Sequence, residues 1–206
     1  MDFVTLAELL CARVCHDLSG PVGATAAGAE LFQDLGGGDA ETLALVATSA
    51  AGAAARLRLL RAALGPASGA PQPLAALKSM VDAHLHSQVS AAAPAIPVLW
   101  RDCPAAIDGA QARLMLNLIL LGRDALPRGG RMEISLTDSR PTLIAHGEPA
   151  SLADDVKAAL TDAETTICGP RAAQALFTRQ LAEQLNSRID ITLTAQGLRL
   201  AVQANG

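Results

Sequence analysis

From residue 3 to residue 35 the apolar side chains recur at helical spacing. With His16 set at zero and about 100° of rotation per residue, Phe3, Leu10, Val14, Leu18, Thr25, Ala29 and Phe32 gather on one side. Ala12, Ser19, Gly20, Gly23 and Ala27 fall within about 60° of the histidine on the other. The pattern predicts an amphipathic helix whose buried stripe excludes His16, so the imidazole points to solvent. Pro21 lacks the amide proton that would bond the Asp17 carbonyl, which predicts a kink one turn after His16. Gly36, Gly37 and Gly38 break the helix, and Asp39 can cap the next. There Leu43, Val46, Ala50, Ala53, Leu57, Leu60 and Leu64 recur at spacings of three and four, the pattern of a bundle seam. Gly65 and Pro66 stop it. A hairpin with one apolar stripe per helix cannot close a core alone, so two chains are expected to pair into a four-helix bundle, making a homodimer.

The Gly, Pro, Ala and Ser of residues 65–73 read as a linker, and beyond it the period changes. Helices are predicted at 74–85, 109–126, 152–160 and 171–185, and strands at 96–101, 131–136, 142–145, 188–194 and 198–203. Helices interleaved with antiparallel strand pairs predict an α/β sandwich with helices on one sheet face. The fold class is α plus α/β, with a helical hairpin at 1–66, a linker at 67–73 and the α/β domain at 74–206.

Half of the 206 residues are apolar but only 2% are aromatic, so alanine and leucine must build the packing. A net charge of −4 gives no global reason to expect nucleic acid or an anionic membrane as partner. No apolar run approaches the roughly 18 residues that span a bilayer, and the N-terminus lacks the charged region of a secretory signal. A cytoplasmic protein without nucleic-acid or membrane partners is expected. Cys11, Cys15, Cys103 and Cys168 are too scattered for a disulfide framework. Cys11 and Cys15 lie one turn apart beside His16 and raise the question of zinc. Both rotate toward the buried side while His16 rotates away, so they read as small buried thiols and no metal is expected. His84, His86 and His146 read as solvated, and Leu114, Leu116, Leu118, Leu120 and Leu121 as core.

A hairpin carrying His-Asp-x-x-x-Pro ahead of this α/β pattern resembles the dimerisation and ATPase-like halves of bacterial sensor histidine kinases. His16, Asp17 and Pro21 resemble the box whose histidine is phosphorylated and whose acidic neighbour orients it. Asn117 to Gly122, with Asp124-Ala125-Leu126 and Gly129-Gly130-Arg131, resembles the asparagine box and the turn after it. Gly169 with residues 171–191 resembles the last glycine-rich box. The resemblance implies a Bergerat-like (GHKL-type) second domain, but three departures remove ATP. Leu121 stands where the kinases place a magnesium-binding asparagine, and an apolar side chain cannot ligate magnesium. Ile144-Ala145-His146-Gly147-Glu148-Pro149 offers no aspartate ahead of two glycines. Gly169-Pro170-Arg171-Ala172-Ala173 replaces glycine-x-glycine, with proline removing a phosphate-binding amide.

What remains resembles the ChpT-type histidine phosphotransferases, through Cys15-His16-Asp17 and Pro21-Val22-Gly23-Ala24. That resemblance implies that His16 accepts a phosphoryl group from a receiver aspartate of a hybrid kinase and passes it to response-regulator aspartates. Asp17 would hold the ring, and magnesium would come from the receiver. Ser19, Gly20 and Gly23 would form the face a receiver approaches. Arg13, about one turn before His16, reads equally as a phosphate contact or as a solvated charge. A receiver-binding scaffold and an ATP-dependent kinase are the competing functions.

Overall fold

Two long helices come first in the computed structural model, which describes residues 2–34, 36, 40–89, 94–162, 167, 169–194 and 197–205. Gly37, Gly38, Asp39 and Cys168, given roles above, lie outside the described residues. Helix α1 (Phe3–Asp34) runs on through Pro21, and α2 (Ala40–Leu64) returns against it. Asp2 Oδ1 accepts the Thr5 amide at 2.9 Å and caps the start of α1. The two helices touch closely at Gly28, where a Cβ would stand 2.8 Å from Val46 Cγ2.

The covered side of α1 is turned by about 40° from the predicted stripe, toward Arg13 and Asp17. Arg13 and Gly28 are buried on it, with Leu6, Leu10, Val14 and Leu18 half-buried. Phe3 and Ala29, assigned to the buried stripe, are exposed. So are Cys11 and Cys15, which corrects their reading as buried thiols. The rotation follows from a second contact, because α1 packs against the α/β domain as well as against α2. A second apolar line, Val4, Cys11, Cys15 and Val22, is left uncovered, and Leu43, Ala50 and Leu57 are uncovered on α2.

The rest of the chain is β1 (Gln72–Pro73), α3 (Leu74–His86), β2 (Val98–Arg101), β3 (Ala106–Ile107) and α4 (Gly109–Asp124), then β4 (Arg131–Thr137) and β5 (Arg140–His146). It closes with α5 (Asp154–Thr161), α6 (Pro170–Gln184), β6 (Ser187–Thr194) and β7 (Gly197–Ala204). The main sheet has the order β2-β4-β5-β7-β6. Its pairs β4–β5, β5–β7 and β6–β7 are antiparallel, as expected, and β2 pairs with β4 in parallel. The reason is α4, which lies between those strands in the chain and supplies the crossover that parallel neighbours need. Strands β1 and β3 form a separate antiparallel pair, so the last two residues of the expected linker are fixed to the domain.

The core lies between the sheet and α4, α5 and α6. Met132, Ile134, Leu143, Leu198 and Leu200 face it from the sheet. From α4, Leu114, Leu116, Leu118, Leu120 and Leu121 are all buried, as expected. Gly122 lets that helix sit close, since a Cβ there would be 2.7 Å from Leu143 and 2.8 Å from Met132. The C-terminal end of α2 joins this core through Leu59, Leu60 and Ala63. Its last carbonyls, which no residue of α2 can satisfy, are taken by α4: Asn117 Nδ2 donates to Ala63 O at 2.8 Å and Arg113 Nη2 to Leu64 O at 3.2 Å. Among the described residues, α2 is one helix long and apolar enough to cross a membrane by length and composition, with a mean hydropathy of 1.4 over its best window. No such run stood out in the sequence, because the window is built from alanines broken by Thr48, Ser49 and Gly52.

His84 is fully buried, against the expectation of a solvated ring. Gln88 Nε2 donates to its Nε2 at 2.8 Å, and Arg123 Nε donates to Gln88 Oε1 at 2.7 Å. Burial, helped by the charges of Arg56, Arg123 and Arg13 and opposed by Asp17, pushes the imidazole down from 6.5 to about 4. The folded ring stays neutral where the unfolded chain protonates it, so this stability is present above pH 6.5 and lost as the pH falls toward 4. Wild type is expected to lose about 3 kcal/mol more than His84→Gln between pH 7 and pH 4, measured by urea unfolding. Parallel curves for the two proteins would contradict a neutral buried ring.

Candidate functional site

His16 stands on the exposed side of α1 with 82% of its side chain open to solvent. In the Nδ1–H tautomer it donates to Asp17 Oδ1 at 3.1 Å, which leaves Nε2 bare and facing outward. The adjacent carboxylate reaches back because a helix turns by about 100° per residue, bringing Asp17 to the edge of the covered side. There Asp17 is largely buried. Its other oxygen, Oδ2, accepts from Arg13 Nε at 3.0 Å, one turn earlier. Arg13 Nη1 and Nη2 continue across to Asp124, the last residue of α4, at 2.8 Å and 3.3 Å.

Arg13 is therefore neither the solvated charge nor a free phosphate contact, because its guanidinium is committed to two carboxylates and is 7% exposed. Burial opposes its charge, but Asp124 and Asp17 outweigh that and raise it further above its ordinary value. Burial likewise pushes the Asp17 carboxyl up, and Arg13 together with the His16 hydrogen bond outweighs it, holding the group below the usual range. Asp17 thus stays an anion at neutral pH, the form that can support a positive charge growing on the imidazole.

Beside His16 opens a cleft of about 870 Å³ between α1 and the α/β domain. Arg56, Arg123, Asp124, Asp155 and Arg171 line it. Arg56, from α2, holds two elements together by donating to Asp17 O at 3.0 Å and to Ser87 O at 2.7 Å. Arg171, in the first turn of α6, is 69% exposed and only 3.9 Å from Asp124 Oδ2, a loose contact that leaves its charge open to the cleft. Of the small residues, Ser19 and Gly20 line the cleft, and the Ser19 hydroxyl donates to Cys15 O at 2.6 Å. Gly23 is exposed further along α1 and is not part of the cleft wall. Nothing stands within 4 Å of a Cβ built at Gly20 or Gly23, so a partner backbone can come close there.

The boxes that resemble kinase nucleotide contacts have other duties. Leu121 is buried in the core, and Asn117 uses its Nδ2 on the Ala63 and Arg113 carbonyls. Gly169 caps α6 with no side-chain hydrogen bond and Pro170 occupies its first turn. Sequence reasoning missed Arg56, Arg123 and Asp155, and it noted Asp124 and Arg171 only within motifs. Asp124 meets Arg13 across 111 positions, and no local pattern signals such a pair.

His16 thus presents a bare imidazole nitrogen beside an open cleft, with a carboxylate on its other ring nitrogen. The family model for the histidine phosphotransferase C-terminal domain matches residues 75–197. The chain is 31% identical over 208 residues to protein phosphotransferase ChpT of Brucella abortus (strain 2308), covering 96% of this chain and 95% of that one. A solved structure described as a bacterial phosphotransferase superposes with a TM-score of 0.80 at 27% identity, covering 98% of each chain. The chain belongs to the histidine phosphotransferase family.

Breaking a buried ion pair leaves one charge without its partner, at a cost of about 3 kcal/mol. Arg13→Met is expected to destabilise the chain by about that amount in chemical denaturation. A change below about 0.5 kcal/mol would mean that the two carboxylates are solvated without it.

Proposed function

We propose that this protein is a phosphorelay carrier in which His16 takes a phosphoryl group from a receiver aspartate of a hybrid kinase and hands it to response-regulator aspartates. The observation that carries this reading is the hydrogen bond from His16 Nδ1 to Asp17, which leaves Nε2 as an unprotonated, solvent-facing nucleophile. In the forward step the Nε2 lone pair attacks phosphorus in line, the N–P bond forms and the bond to the aspartyl oxygen breaks. The receiver recovers its carboxylate. The Nδ1 proton stays on the ring, and Asp17 balances the positive charge this leaves. The return step runs the same path with a different carboxylate as acceptor. Magnesium is held by the receiver's carboxylates, and this chain binds no ATP. The relay operates in the cytoplasm, and neither nucleic acid nor a membrane is a partner.

Labelling separates this reading from its competitors. Wild type incubated with ATP and a phosphorylated receiver domain from the same genome is expected to take up phosphate, and His16→Gln is expected to take up none. Labelling of wild type by ATP alone would point to a kinase. No labelling with any receiver would leave a binding scaffold.

The same reading includes a homodimer. The uncovered lines on α1 and α2 include Val22 at 54%, Leu43 at 55% and Leu57 at 51% exposure, and large apolar residues at such spacing are stable in water once a second hairpin covers them. Wild type is expected to sediment as a dimer and Leu57→Asp as a folded monomer. A monomeric wild type at micromolar concentration would remove the bundle from the proposal.

A further inference from the structure

We propose that Asp124 is a positioning residue of the phosphotransfer site, acting on His16 through Arg13 and Asp17. This rests on the reading of His16 as the phosphoacceptor and adds a requirement from the other end of the chain. Asp124 lies at the end of α4 on the inner wall of the cleft, makes no hydrogen bond to the imidazole, and is 11% exposed.

The argument turns on the shape of a guanidinium. Its donors lie in a plane, and with a single carboxylate as partner it takes both oxygens in a bidentate pair. Here Asp124 holds Nη1 and Nη2 and so fixes the orientation of the guanidinium, and in that orientation Asp17 meets only the Nε hydrogen, on Oδ2. Oδ1 of Asp17 is thereby kept for His16. Without the Asp124 charge, Arg13 is free to turn a full edge to Asp17 and engage Oδ1 as well. The ring then loses the acceptor that selects its Nδ1–H tautomer, and Nε2 is no longer reliably the bare nitrogen. Among the described residues no carboxylate besides Asp17 and Asp124 pairs with Arg13. Asp155 lines the same cleft but makes no ion pair with Arg13, and Arg56 reaches the Asp17 backbone rather than its carboxylate. Arg171 is itself a cation, held to Asp124 at 3.9 Å.

Asp124 joins the α/β domain to the chemistry on the hairpin. The nucleophile is held in this way only while the end of α4 stays within reach of Arg13, so competence requires both the hairpin and the α/β domain.

Two readouts test this on the full-length protein. The first is rapid-quench transfer from a phosphorylated receiver over a range of receiver concentrations. Asp124→Asn is expected to lower the maximal rate about tenfold with the half-saturating receiver concentration unchanged, and Asp124→Glu to recover most of it. Because Asp124 works through Arg13, adding Asp124→Asn to Arg13→Met is expected to cause no further loss. The second readout is the nitrogen-15 spectrum of the His16 imidazole, which reports its tautomer without any transfer. It is expected to move from Nδ1–H toward Nε2–H in Asp124→Asn. Arg13→Lys keeps the charge but lacks the fork, so it carries the same spectral test if Asp124→Asn fails to fold. An unchanged spectrum, a loss confined to receiver affinity, or independent losses in the double variant overturns the role of Asp124. A wild type that shows the Nδ1–H tautomer yet accepts no phosphate from any receiver overturns the phosphoacceptor reading instead.

Discussion

Arg13 is a cation buried between two carboxylates, Asp17 on its own helix and Asp124 at the end of α4. Such a group is expensive to bury alone and is held only by partners on both sides. The arrangement ties α1 to the α/β domain at one point, because the guanidinium bonds a carboxylate on each. It also fixes which face of α1 stays open. With Arg13 and Asp17 turned inward, His16 is left on the outer edge at the mouth of the cleft, and Cys11 and Cys15 are carried out to solvent. The ion pairs of Arg13 therefore fasten the rotation that packing on two sides gives a helix of 32 residues.

The second attachment is made at the far end of the hairpin. The final turn of α2 reaches α4 with free carbonyls, and Asn117 and Arg113 supply the donors. Arg113 also lies over the Phe177 ring at 4.9 Å, which ties α6 to the same junction. The helix that resembles a nucleotide-binding element is thus used as a brace. That accounts for the close packing of its leucines and for an asparagine whose Nδ2 is held on the Ala63 carbonyl.

Elements with a clear period could be read directly from the chain. The hairpin, the helices of the second domain and the strand pairs β4–β5 and β6–β7 follow from apolar spacing and from Gly and Pro punctuation. The exposure of His16 followed in the same way, since its neighbours at one turn are small. What could not be read depends on contacts between distant segments. The predicted stripe of α1 treated the helix as packing in one direction, whereas it packs in two, and the mean of the two directions lies nearer Arg13. His84 reads as polar, but its place on α3 faces the core and Gln88 satisfies one nitrogen. The parallel β2–β4 pair goes with the helix between those strands, but which strand β2 would pair with has no signal in its own residues. Asp124 has no local signal at all. It becomes recognisable only when a buried arginine needs a second anion.

Helix α2 turns Leu57 outward and Leu59 and Leu60 inward within a single turn. Where two copies pair over Leu57, the same rigid segment serves the subunit seam and the domain core, so loosening one frays the other. Unfolding and dissociation of the proposed dimer would then be one equilibrium between a dimer and two unfolded chains, and protein concentration would enter the midpoint of any melt. A diluted sample would then melt at a lower temperature than a concentrated one.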